Sequence, residues 1–266
     1  MLSQFLKTPL TLGLGQAAIV VVLCAVVTAF ARTYSIHVER ENAVGLSRGI
    51  VQIVLMGYVL AFALKGPKWV AVIILVGMIL AAGVTAARRA RGISGALRVS
   101  LYGLATGAGL VIVLMTLCGV IEWKIMSLIP IGSMIIATSM NTSAQALERF
   151  RSEVVSHTGR IEAALSLGAD PVLAVTPYVR SAVEASLIPR IDNLRSLGIV
   201  WIPGLMAGMV LAGSDPIYSA IYQFVVIAML YAAAALSSLT TTLLIRPRAF
   251  SSAGQLTLRP KKAAAH

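Results

Sequence analysis

Long apolar runs alternate with short polar intervals along this chain, and the runs repeat at a length that suits membrane-crossing helices. Roughly 30 Å of hydrocarbon needs about 20 helical residues at about 1.5 Å each. Seven runs approach that length, at about 12–31, 49–64, 69–87, 99–121, 125–143, 196–213 and 217–245. The second and fifth are short, and the fifth contains Pro130 and several hydroxyl residues. The expected class is therefore an all-α, polytopic integral membrane protein of about seven spans. One membrane domain would fill residues 1–250, with a polar basic tail at 251–266.

A different periodicity governs the longest polar interval, about 144–195. Leu147, Phe150, Val154, Ile161 and Leu165 recur at three- and four-residue spacing, while Glu148, Arg151, Glu153 and Arg160 fall elsewhere. Such a stripe predicts an amphipathic helix. Gly168 then supplies a stop, Asp170 can cap a new helix, and Pro171 suits its first turn. The pattern predicts a helical hairpin between the fifth and sixth spans.

Composition agrees with the periodicity: 58% of the 266 residues are hydrophobic, 12% are charged, and mean hydropathy is +0.88. A soluble domain of this size carries far more charge. The formal charge of +12 lies in the intervals between apolar runs, as on the cytoplasmic flanks of membrane helices, so nucleic acid is not an expected partner. An alternating topology puts 18 of the 22 Lys and Arg residues on one side, leaving Lys7, Lys65, Lys68 and Lys124 on the other. The N terminus is then external and the C terminus, with the hairpin, cytoplasmic. The first run lacks a strongly cationic start and reads as a retained anchor.

Catalytic signatures do not emerge. Leu6, Leu64, Pro67, Trp123, Pro260 and Lys261 precede the six lysines, so no Gly-Lys pair exists to cradle phosphates. His37, His157 and His266 are isolated, without an HExxH or Cys/His spacing. Cys24 and Cys118 fall in apolar runs and imply no disulfide framework. The expectation is a chain that is not an enzyme by itself and has neither a nucleotide site nor a cofactor of its own, and the metal ligands are unknown.

The stretch Glu162-Ala163-Ala164-Leu165-Ser166-Leu167-Gly168 resembles the first part of the EAA loop of ABC-transporter permeases, although the Ile-x-Leu-Pro that follows at fixed distance in that loop is absent. An ordinary amphipathic helix with a glycine stop is the other reading. Further on, Pro203-Gly204-Leu205-Met206-Ala207-Gly208, Leu211-Ala212-Gly213, Asp215-Pro216 and Tyr222-Gln223 are similar to the FetB-like iron-export ABC permease family, which has plant relatives linked to aluminium tolerance. The resemblance implies a subunit of the inner (plasma) membrane that pairs with itself and with two copies of a separate ATPase, the partner that binds ATP. It assigns ATPase coupling to Glu162, Ala163, Ala164, Gly168 and Asp170. Iron, or another metal cation, is the implied cargo, and export the implied direction.

Polar groups inside membrane spans usually face a cavity or another helix. On that ground Gln52, Glu122, Ser139, Asn141 and Gln223 are candidates for the transport path, beside the alternative that hydroxyls simply bond within or between helices. Gly204 and Gly208 form one GxxxG, Gly103 and Gly107 another. Each fits a dimer contact or internal packing. A self-sufficient carrier or channel is the competing function, but acidic residues deep in the runs, which an ion relay would use, are missing.

Overall fold

The computed structural model describes residues 9–90, 93–251 and 254–258, with side chains from residue 13 onward. Lys7, Arg91, Arg259, Lys261, Lys262 and His266, used in the charge and histidine readings, lie outside the described residues. Those that are described fall into two compact units that part at Gly66 and Pro67.

In the first unit, α1 (Pro9–Thr33) and α2 (Glu39–Ala63) are joined by a turn in which Ser35 has φ +61°. Asn42 donates to the Thr28 hydroxyl at 2.5 Å, and Arg32 approaches Glu39 at 3.6 Å. The second helix begins ten residues before its apolar run. Glu39 and Glu41 sit in its first turn, where the helix dipole favours anions.

The second unit contains α3 (Trp69–Ala87), α4 (Ala96–Leu117), α5 (Ile125–Ser156), α6 (Thr158–Ser166), α7 (Pro171–Ser196), α8 (Gly204–Leu211) and α9 (Pro216–Ile245). Six helices among the described residues are long and apolar enough to cross a membrane: α1 to α5 and α9. The protein is thus all-α and polytopic. Cys118 is not inside a span, since it caps α4 and is exposed.

Two helices depart from their expected bounds for physical reasons. The fifth runs 32 residues without interruption, because beyond Thr142 its apolar residues shift from an all-round distribution to one stripe, which packs against other segments rather than lipid. The stretch 196–213, expected as the sixth span, is helical only over Gly204–Leu211. Before it, Leu197 bridges Trp201, Gly198 takes φ +77°, and Pro203 precedes the new helix. Eight residues span only about 12 Å. The stretch joins the end of α7, an irregular break and the short α8, and it is not among the six helices long and apolar enough to cross a membrane.

The bundle is centred on α5 and α9, which pack along their lengths and share neighbours α4 and α7. Within α4, residues Ala105–Gly109 form a single π-helical turn. A β-carbon on Gly107 would lie 2.5 Å from the Ser237 amide nitrogen and 2.6 Å from its Cα, and one on Gly103 would strike the Thr241 side chain. Glycine is required at both for α4 and α9 to approach backbone to backbone.

Candidate functional site

At the cation-rich end of the second unit the chain builds a hairpin from the far half of α5, then α6 and α7. Its stripe residues Leu147, Phe150, Val154 and Ile161 are buried, with Leu165 partly so, against Val175, Val179 and Ala182 of α7. Ile245, Ala249, Leu256 and Leu258 complete this core. The segment expected as a polar tail therefore contributes two buried leucines. It is held by a bond from the Thr257 amide to the Ala249 carbonyl at 2.9 Å. His157 stacks on Tyr178 with ring centres 4.9 Å apart and places Nδ1 2.9 Å from the Glu153 carbonyl.

The turn has the expected chemistry. Gly168 takes φ +86°, a left-handed conformation that penalises residues with a β-carbon. The Asp170 carboxylate accepts from the Val172 and Leu173 amides at 2.8 and 3.1 Å, satisfying two donors that α7 would otherwise leave open. Glu162, Ala163, Gly168 and Asp170 are exposed and Ala164 is half-buried. Leu167 is 89% exposed and Leu173 68%, so an apolar pair flanks the turn. Sequence motifs do not single out either leucine, yet Leu167 falls off the stripe that Leu165 follows, and that displacement is the signal that marks it.

The path candidates do not converge on one site. Gln52 is exposed on α2 in the first unit, and Glu122 is exposed and paired with Lys124 at 2.9 Å. Asn141 lines a polar cavity of about 280 Å³ beside Arg89 and Glu148. Ser139 is fully buried and, with Ser100, Ser143, Ser237 and Thr241, presents a hydroxyl with no hydrogen-bond partner among the described residues. These five lie on α4, α5 and α9, of which α4 and α9 are drawn together by Gly103 and Gly107. Gln223, 2% exposed, accepts from the Met206 amide at 3.2 Å through Oε1, while its Nε2 has no described partner. It therefore ties α8 to α9. A β-carbon added to Gly204 or Gly208 would meet nothing within 4 Å, so within this chain these two glycines pack against no described helix.

A second cavity, about 290 Å³ and of mixed polar and apolar lining, lies between α5, α7, the break and α9. Thr138, Arg190, Asn193, Trp201 and Tyr231 form the polar part of its wall, and Met134, Ala137, Ile227 and Leu230 the apolar part. The charge pattern of the sequence groups Arg190 with the cations outside the membrane. Thr138 instead lies 13 residues into α5 and Tyr231 15 residues into α9, about 20 Å below the ends of those helices at about 1.5 Å per residue. The described residues contain no group of three or more His, Cys, Asp or Glu side chains placed to hold a metal.

The described residues thus form a helical membrane bundle with a capped hairpin at one end and an irregular segment beside a cavity. The chain belongs to the family described as "Uncharacterised protein family (UPF0014)", whose model matches residues 14–250. It is 32% identical over 242 residues to the Arabidopsis thaliana protein ALUMINUM SENSITIVE 3, covering 90% of this chain and 88% of that one. Identity to the UPF0014 membrane protein STAR2 of Oryza sativa subsp. japonica is 31%, covering 90% and 84%. With the "Probable iron export permease protein FetB" of Escherichia coli (strain K12) it is 29%, covering 92% and 95%. No solved structure matches the chain. The protein is a multi-pass membrane protein of a permease family.

Proposed function

We propose that this chain is the membrane-spanning subunit of an ABC transporter that exports a metal such as iron, paired with a second copy of itself and powered by a separate ATPase that binds the ATP. The hairpin tip carries the proposal: Glu162 to Asp170 form a capped, glycine-turned projection with Leu167 and Leu173 facing outward above a buried apolar core. An ATPase closing on nucleotide moves a membrane subunit only through an element that resists bending. Alternating helix, tight turn and helix on a packed base meets that need. The name of the Escherichia coli relative supports export and iron as the first cargo to try.

In this reading the hairpin is cytoplasmic and residues 1–250 act as one permease domain in the inner membrane. In a background without Cys24 and Cys118, Ser214→Cys should react with an impermeant thiol reagent from outside and Leu167→Cys only from inside. Coupling is tested with Gly168→Val and Glu162→Lys, each coexpressed with the ATPase. Both variants should insert normally yet fail to stimulate ATP hydrolysis and to drive Fe(II) uptake into inverted vesicles. Normal stimulation and transport by both would overturn the coupling role.

A further inference from the structure

We infer that the cavity lined by Arg190 binds an oxyanion, a carboxylate or phosphate group carried by a soluble cargo or by a lipid headgroup. An intramembrane guanidinium stays charged and needs a cavity or a counter-charge. Three other arginines near it in sequence have carboxylate partners, Arg149 2.9 Å from Glu153, Arg180 2.8 Å from Glu184 and Arg195 4.0 Å from Asp192, while Arg151, whose Nε is also buried without an acceptor, does not line this cavity. Arg190 makes no ion pair among the described residues, and its Nε is shut away from solvent with no acceptor. Arg190 also lines the cavity, so its unmatched charge borders open space.

What lines that cavity fixes the sign of the ligand. Thr138, Asn193, Trp201 and Tyr231 can each donate a hydrogen bond, and no Asp, Glu, His or Cys joins them. A bare metal cation meets a like charge there and finds no anionic ligand. A carboxylate or phosphate meets a planar guanidinium fork and neutral donors, the pairing in which arginine bonds are strongest. About 290 Å³ suits a compact group such as citrate or inorganic phosphate. The break at 197–203 puts Trp201 on the cavity wall, and discontinuous helices commonly form the binding sites of transporters. This inference deepens the permease reading, since a metal would then cross as a carboxylate or phosphate complex, but the binding itself needs no ATPase.

The full chain, purified in an uncharged detergent, is followed by thermal unfolding with sodium citrate or sodium phosphate against sodium chloride at matched ionic strength. A parallel arm compares phosphatidylglycerol with phosphatidylcholine. At least one oxyanion should raise the unfolding temperature saturably; the first arm assigns a soluble ligand, the second a headgroup. The apparent affinity should fall at least tenfold in Arg190→Gln and recover in part in Arg190→Lys, while exposed Arg180→Gln behaves as wild type. Should Arg190→Gln fail to fold, Thr138→Val with Tyr231→Phe keeps the charge and removes two donors, and should weaken binding severalfold. No shift beyond chloride in either arm, an equal shift in Arg190→Gln, or unchanged affinity in the double variant overturns the site. ATPase stimulation, measured separately, stays intact if only this inference fails.

Discussion

The hairpin and the irregular segment that ends in α8 share one helix, α7, yet its two ends obey opposite rules. At its start, Asp170 caps the helix, Val175, Val179 and Ala182 are buried, and the apolar side chains close a core with Phe150 and Ile161. At its end, Arg190 and Asn193 face a cavity, Arg190 Nε lacks a partner among the described residues, and the helix gives way to a seven-residue break, 197–203. Satisfied ends and dense packing give a piece that moves as a body. Unsatisfied polar groups beside an irregular backbone give a place where a ligand, or a second arrangement, lowers the free energy. A transporter needs both, one to receive force and one to respond.

Phe150→Ala tests the rigid half most severely. The ring is fully buried at the centre of the hairpin core, and truncation leaves a cavity costing about 3–5 kcal/mol. The chain should still insert, since its spans are untouched. Proteolysis should then cut between α5 and α7 far faster than in wild type. Unchanged resistance would mean that the hairpin is not held by this core.

Next in size is Gly107→Ala. The added carbon would sit 2.5 Å from a backbone nitrogen of α9, which cannot rotate aside as a side chain could. Overpacking of this kind costs about 1–3 kcal/mol. The unfolding midpoint in mixed detergent should fall accordingly, whereas Gly109→Ala, with only the Ile79 methyl 3.8 Å away, should be mild. Equal effects would show that α4 and α9 do not approach as closely as the π-helical turn allows.

The hairpin's legibility in sequence and the break's illegibility share a cause. A stripe at three- and four-residue spacing, a glycine stop, an Asp cap and a Pro at the first turn are local signals, each acting within a few residues, and all four operate where expected. Apolar runs likewise report their own depth, which is why α3 and α9 end within a residue of the expected bounds. Whether 196–213 is one helix depends on what Gln223 and Trp201 meet from other segments, and hydropathy does not carry that. Arg190 misleads for the same reason: beside Pro189 and Asp192 it reads as a loop cation. Only the packing of α7 along α5 and α9 brings it level with Thr138. The close α4–α9 approach is half visible in sequence, as Gly103 and Gly107, but the same spacing gives equal weight to Gly204 and Gly208, which have no described neighbour in the chain.

Asp170→Ala sharpens the contrast at lower cost. Losing a cap that satisfies two amides should destabilise the start of α7 by about 0.5–2 kcal/mol. Amide hydrogen exchange should quicken at Val172 and Leu173 and leave the end of α7 unchanged. Asp170→Asn, which keeps an oxygen acceptor, should restore most of the protection. Uniform acceleration along α7 would mean that its two halves are one cooperative unit and not two regions with different tasks.

The smallest effect within the chain, and the most informative about a second copy, belongs to Gly204→Ala with Gly208→Ala. Neither added methyl meets a described atom within 4 Å, and alanine favours a helix over glycine by about 0.8–1.0 kcal/mol per residue in a helix interior. For an isolated chain the double change should be neutral or slightly stabilising. A GxxxG face used between two copies behaves otherwise, because each methyl holds apart backbones that glycine lets touch. In the proposed homodimer, then, unfolding of the dilute monomer should be unaffected while the dimer dissociates at a lower detergent-to-protein ratio. Crosslinking through Met209→Cys should fall in parallel. If dimerisation is as strong as in wild type and crosslinking persists, the α8 glycines lie outside the interface.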